Sequence, residues 1–243
     1  WLYAIDALGS TGTVLAKLNL GSPVIGTPCV HNGLIYVPTQ GGGWLLSGGY
    51  WNDVGRMLVL KLNRITNVFE PQWEYTCPNV GDQIWGSTTV YDGAVYFGRG
   101  TNGLEQNYLC TIDLLTHTQR SGGPAMMKYR ADCITPGIDT SYVRPDNGQP
   151  EPRVYVSDYS CWVTAAKCKT GAKVWEWSDD STYMYASPVI YSGFIFVGSD
   201  YNCIYKLKDD GDTQPGDPDA SPGDAWRWGT PNNVKSTPAA LNG

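Results

Sequence analysis

Apolar and polar positions along this chain alternate with period two in short runs, and each run ends at a Gly-bearing turn. Leu2–Asp6, Met57–Leu62, Tyr108–Asp113, Cys161–Ala166 and Cys203–Lys208 read as strands of one type. A second type follows a small residue and proline or threonine: "GTPCVHNGLIYV" from Gly26, "GSTTVYDGAVYF" from Gly86 and "ASPVIYSGFIFV" from Ala186. Within each, His31-Asn32-Gly33, Tyr91-Asp92-Gly93 or Tyr191-Ser192-Gly193 predicts a tight hairpin, because both central residues must accept positive φ. No segment carries a helical period of useful length.

These runs repeat. The anchors Thr27, Ser87, Thr135, Ser187 and Thr237 lie 60, 48, 52 and 50 residues apart. An independent anchor keeps the same phase: Trp73-Glu74-Tyr75, Trp175-Glu176-Trp177 and Trp226-Arg227-Trp228, with Ala16-Lys17-Leu18 and Met127-Lys128-Tyr129 at the two remaining places. Each unit therefore holds four short strands, A (the Trp strand), B and C (the hairpin) and D. The sequence predicts an all-β chain, a β-propeller of four-stranded antiparallel blades with five blade-equivalents. Trp73, Trp175 and Trp226 are expected at equivalent places on the innermost strands, with the D strands at the outer edge. The expected organisation is one propeller domain over 1–243, in which Trp1 to Asp6 is an outer strand completing a blade with the C-terminal strands. The chain starts at Trp1 and stops inside a repeat, which reads as an incomplete or processed chain. A ring of five and a segment of a larger ring both remain open.

The stretch "AAKCKTGAKVWEW" from Ala165, followed by "ASPVIYSGFIFVGSD" and "IYKL", resembles the pyrroloquinoline-quinone-like repeat of quinoprotein-type propellers. In that repeat a Thr-Gly turn, here Thr170-Gly171, precedes a tryptophan that docks between blades, here Trp175. "LYAIDALGSTG" from Leu2 is similar, and "TIDLLTH" keeps Asp113 and Thr116 but has His117 where Gly is expected. The resemblance implies two kinds of relative. The quinone-dependent alcohol dehydrogenases carry an adjacent Cys-Cys pair, and some add Cys-x-x-Cys-His; this sequence has neither. The non-enzymatic relatives include a bacterial outer-membrane assembly lipoprotein and the lumenal sensor domains of stress kinases. The expectation is accordingly a non-catalytic scaffold or assembly subunit that binds protein partners outside the cytosol, without a cofactor. A small-ligand or carbohydrate-binding propeller is the alternative.

Composition adjusts this picture at a few points. A net charge of −6 disfavours nucleic acid as a partner, because phosphates require a basic stripe. No apolar run reaches the length of a membrane span. Seven cysteines favour an oxidising compartment, with at least one disulfide expected and Cys133–Cys161 the favoured pairing. Gly98–Gly103 matches G-x-G-x-x-G but is followed by a strand, so no helix N-terminus is available for a phosphate. His31 and His117 read as turn residues, and no metal site is indicated.

Two insertions interrupt the repeat. Asp209 to Asp224 holds six Asp and reads as a solvated acidic loop, with Asp210, Asp212, Asp217 and Asp219 the calcium ligands if it binds one. Gly41 to Gly55 concentrates Trp44, Tyr50 and Trp51 with Leu45 and Leu46 in a Gly-rich loop. In an up-and-down blade the A–B and C–D connections leave on one face. Trp44, Tyr50, Trp51, Trp85, Tyr183 and Tyr185 therefore share a face, and they are the candidate partner-binding residues.

Overall fold

The computed structural model describes residues 1–9, 11–41, 54–79, 81–100, 107–120, 125–127, 137–139, 148–178, 183–209 and 226–235. β1 (Leu2–Ile5) and β2 (Val14–Leu18) form a two-stranded antiparallel sheet. Four four-stranded sheets follow, each in simple up-and-down order. The first comprises β3 (Cys29–His31), β4 (Leu34–Thr39), β5 (Arg56–Asn63) and β6 (Val68–Thr76). The second comprises β7 (Thr89–Tyr91), β8 (Ala94–Arg99), β9 (Asn107–Asp113) and β10 (Ala125–Met127). The third runs through β11 (Gly137–Asp139), β12 (Arg153–Ser157), β13 (Trp162–Lys167) and β14 (Lys173–Ser178). The fourth runs through β15 (Val189–Tyr191), β16 (Phe194–Ser199), β17 (Cys203–Lys208) and β18 (Trp226–Gly229).

The short first strands touch one another in sequence, β3 on β7, β7 on β11 and β11 on β15, so they form the inner edge. Here the expected phase needs correction by one strand. The tryptophan strands β6, β14 and β18 pair with the D strand before them, as the outermost strand of the preceding blade. The D strands β5, β9, β13 and β17 are third from the axis. The cause is local. Asp113 Oδ1 accepts from the N–H of Leu115 and Thr116, and His117 takes φ 58°, so the chain reverses in a tight turn at the end of D. His117 thus holds the left-handed position that Gly171 holds, at φ 67°, in the next blade. The B–C turns behave as expected, with Asn32, Asp92 and Ser192 and the glycine after each at positive φ.

The core is a series of layers between blades. Tyr36, Met57 and Val59 meet Val95, Phe97 and Ile112; Tyr96 and Leu109 meet Val154, Val156 and Ala166; Tyr155, Val163 and Ala165 meet Ile195, Val197 and Leu207. Strands covered on both faces explain continuous apolar runs such as Ala94–Phe97. The small residue that opens each B strand is required where inner edges meet. A Cβ on Gly26 would lie 2.1 Å from the carbonyl oxygen of Gly86, while the neighbouring Thr27 N–H donates to Ser87 Oγ at 2.8 Å.

The expected disulfide is not found: six of the seven cysteines are described and no disulfide joins any two of them. They lie in three inter-blade layers, with Cys29 and Cys77 in the same layer as Cys110. Cys110 sits between the first and second blades, Cys168 between the second and third, and Cys161 and Cys203 between the third and fourth. Cys133 lies outside the described residues.

Candidate partner-binding face

The A–B connections at Gln83 and at Tyr183 lie against the ends of the C strands and are fixed there by backbone hydrogen bonds. Gln83 and Gly100 exchange N–H···O bonds of 2.8 and 3.1 Å, and Asp200 N–H donates to Tyr183 O at 2.9 Å. Ile84 and Met184, one position after the bonded residue, are fully buried and act as plugs. The next residue, Trp85 or Tyr185, is half-buried.

Between the first and second blades this face is polar and closed. Asp82 and Arg99 form a buried ion pair, Asn79 Nδ2 donates to Asp82 at 3.1 Å, and Arg99 Nε donates to Cys110 Sγ at 3.0 Å. Burial pushes the Cys110 thiol up to about 11 despite the neighbouring guanidinium. Gln83 Oε1 accepts from Gln40 Nε2 at 3.4 Å and from the indole N–H of Trp85, so the donor of Trp85 is engaged internally. The Gly41–Gly55 insertion springs from beside this cluster. Gly55 N–H donates to Asp82 O at 2.6 Å and Gly41 N–H to Ser22 Oγ at 3.0 Å. The base of the aromatic loop and Trp85 are thereby brought together, whereas Trp44, Tyr50 and Trp51 lie outside the described residues.

Between the third and fourth blades the same face is aromatic and open. Tyr159 stacks on Tyr183 with ring centroids 4.0 Å apart and meets Tyr185 edge-on at 5.4 Å. Tyr183 is 44% exposed. Lys235 Nζ sits 5.0 Å from the Tyr185 ring centroid and 3.5 Å from Asp200 Oδ2, while Asp200 Oδ1 is buried without a hydrogen-bond partner. Asp158 anchors the turn that presents Tyr159, accepting from Ser160 N–H at 2.8 Å and Trp162 N–H at 3.1 Å. Burial raises its carboxyl to about 8, against those two donors.

Tyr159 was not among the residues expected on sequence, although a signal exists. Ser157-Asp158-Tyr159-Ser160-Cys161 recurs as Ser199-Asp200-Tyr201-Asn202-Cys203, so the two turns present Asp and Tyr alike. Asp209 is a second residue the sequence did not separate. It was assigned to the solvated acidic loop, yet it is 5% exposed, on the opposite face. Its carboxylate accepts from Arg153 Nη1 at 2.9 Å, Trp175 Nε1 at 3.0 Å and the Tyr155 hydroxyl. Asp210, Asp212, Asp217 and Asp219 lie outside the described residues.

No protein-family profile matches the sequence, and comparison with curated proteins gives no match. Solved structures do match. BamB from Moraxella catarrhalis is 17% identical with a TM-score of 0.54, over 96% of this chain and 72% of that one. A europium-containing methanol dehydrogenase is 13% identical with a TM-score of 0.54, over 86% of this chain. The chain spans only 46% of the dehydrogenase. At these identities the likeness is one of fold: the chain has a β-propeller fold like that of these two structures.

Proposed function

We propose that this propeller is a non-catalytic binding scaffold, a subunit that docks a protein partner on the face carrying Tyr159, Tyr183 and Tyr185. The exposed tyrosine cluster carries the reading. Its rings are held by each other and by the Asp158 and Asp200 turns, so they offer large contact area with little side-chain entropy left to lose. The aromatic insertion starts from the same face, and Trp44, Tyr50 and Trp51, with Trp85, extend the proposed surface. The fold shared with BamB, and the repeat's resemblance to non-enzymatic propellers that work outside the cytosol, support an extracytoplasmic assembly role. The dehydrogenase shares that fold, but the sequence lacks the paired cysteines of the quinone enzymes.

The test is affinity capture of the native complex, with mass measurement, using wild type, Tyr159→Ala plus Tyr183→Ala, and Trp44→Ala plus Trp51→Ala. Loss of the partner from both variants, with thermal midpoints held within a few degrees, supports the scaffold. Capture that is unaffected in both removes it. Asp200 Oδ1, buried and unpartnered beside these tyrosines, favours one second reading, a polar small ligand such as a sugar stacked on the rings. That reading predicts a native mass of the chain alone and glycan binding lost on Tyr183→Ala.

A further inference from the structure

Between the first and second blades the partner face carries an arginine of its own. Arg99 closes β8 and pairs with the buried carboxylate of Asp82, while its guanidinium carbon lies 4.9 Å from the Tyr108 ring centroid. One cation thus neutralises a carboxylate and covers a tyrosine, two tasks that suit a planar guanidinium. The fourth blade repeats this frame without that side chain. β8 and β16 are both six residues long and each begins directly after a turn glycine, Gly93 or Gly193, so Ser199 stands where Arg99 stands. The residues that follow match too: Gly100 N–H donates to Gln83 O at 3.1 Å and Asp200 N–H to Tyr183 O at 2.9 Å.

A carboxylate and tyrosines are present here as well. The Asp200 side chain is 10% exposed, and its Oδ1 has no hydrogen-bond partner among the described residues. Its Oδ2 lies 3.5 Å from Lys235 Nζ, longer than a charge-assisted hydrogen bond of about 2.7–2.9 Å. Lys235 also sits 5.0 Å from the Tyr185 ring centroid, so a cation is held at this point by carboxylate and ring together. With its own side chain 61% exposed, Lys235 compensates the buried charge weakly. A carboxylate so placed is costly until a better donor arrives. A guanidinium brings two parallel donors to the two oxygens and a flat face to a ring, whereas an ammonium brings a point charge. The net charge of −6 favours approach of a basic surface.

We infer that the partner protein inserts an arginine side chain at this point. The inference rests on the docking role proposed above and gives the partner its chemistry. The guanidinium displaces Lys235, forks onto the two oxygens of Asp200 and stacks on Tyr185, beside the paired rings of Tyr159 and Tyr183. The first seam supplies its arginine from within, and the third receives one from outside.

The probe is a glycine peptide with one central arginine, titrated into dye-labelled protein and followed by thermophoresis. Wild type should bind it with Kd below about 1 mM, and the citrulline peptide, of the same shape without the charge, at least about tenfold more weakly. A lysine peptide should bind at least about threefold more weakly than the arginine peptide. Asp200→Asn should weaken the arginine peptide at least about tenfold while the thermal midpoint holds within a few degrees. Lys235→Ala should tighten it at least about twofold, because the resident competitor is gone. Lys169→Ala removes the same charge from an exposed turn on the opposite face and should leave affinity unchanged. If Asp200→Asn does not fold, Lys235→Ala, which trims an exposed side chain, decides. No saturable binding up to about 1 mM, equal binding of the citrulline peptide, or unchanged affinity in folded Asp200→Asn or in Lys235→Ala overturns the site. Capture of the native complex separates this inference from the reading beneath it. A partner lost from Tyr159→Ala plus Tyr183→Ala but retained by Asp200→Asn overturns the arginine and leaves the scaffold standing, whereas a partner retained by every variant removes both. Glycan binding lost on Asp200→Asn, with a native mass of the chain alone, also overturns the arginine.

Discussion

Replacing Asp209 with alanine tests how the third and fourth blades are held together. Asp209 closes β17, and its side chain, 4% exposed, reaches across the seam to Arg153 of β12 and Trp175 of β14. Removal leaves a guanidinium that is 6% exposed without the carboxylate it faces, and takes the acceptor from an indole N–H and a tyrosine hydroxyl. Breaking one side of a buried pair costs roughly 3–5 kcal/mol. Glu151 Oε1, 3.5 Å from Arg153 Nη2, keeps some compensating charge, so the lower end, about 3 kcal/mol, is expected here. For a chain of this size each kcal/mol moves the midpoint by about 2–4 °C, so calorimetry should show a fall of about 6–12 °C. Adding Arg153→Met to Asp209→Ala removes the stranded charge, and the double variant should melt above the additive expectation by at least about 1 kcal/mol. A midpoint within 2 °C of wild type for Asp209→Ala, or strict additivity in the cycle, refutes the claim that the network couples the two blades.

Asp158 makes stability depend on pH in the opposite sense to an ordinary paired carboxylate. Folded, it keeps its proton to about pH 8, whereas the unfolded side chain loses it near pH 4, so the native state binds the extra proton between these values. Stability from this group is present at low pH and falls by up to about 1.4 kcal/mol per unit as pH rises toward 8; denaturant midpoints should show the decline, and Asp158→Asn should flatten it. Gly26→Ala should lower the midpoint by about 1–3 kcal/mol in equivalent stability, since the new methyl meets the Gly86 carbonyl at 2.1 Å and two inner strands must separate. His117→Ala should destabilise more than His117→Gly by about 0.5–1 kcal/mol: both lose the 4.5 Å stack on Trp73, but only alanine retains a Cβ at φ 58°. Unfolding by denaturant, monitored by tryptophan fluorescence, ranks the pair.

The hairpin turns and the strand alternation were legible in the sequence. Gly33, Gly93 and Gly193 marked the hairpins, and the strand alternation located nearly every described strand. What the sequence did not reveal was the side on which each tryptophan strand pairs. The clue was connection length, since the turn from Lys167 to Lys173 closes as a hairpin through Gly171 N–H to Lys167 O at 2.8 Å, while the path from Ser178 to Val189 is long. Asp209 was misread because its partners are 34 to 56 residues away and nothing beside it in the chain distinguishes it from its acidic neighbours. The tyrosine cluster was half visible. Tyr183 and Tyr185 stand out next to an anchor, but Tyr159 joins them only because two blades bring their turns together.

The base of the Gly41–Gly55 insertion shows how such a chain can acquire new recognition without rebuilding its frame. A Cβ on Gly41 would lie 2.5 Å from the carbonyl carbon of Val54, so the two ends of the insertion meet backbone to backbone. Both ends are tied to neighbouring connections, Gly41 through Ser22 and Gly55 through Asp82. Once a neck is closed in this way, lengthening the segment it bounds costs little, roughly 0.6 kcal/mol for each doubling. Blade stability and loop content are then inherited separately. Selection is free to exchange what emerges from the neck, and an engineer can graft a foreign binding loop between Gly41 and Gly55, while β4 and β5 keep the register that holds the blade.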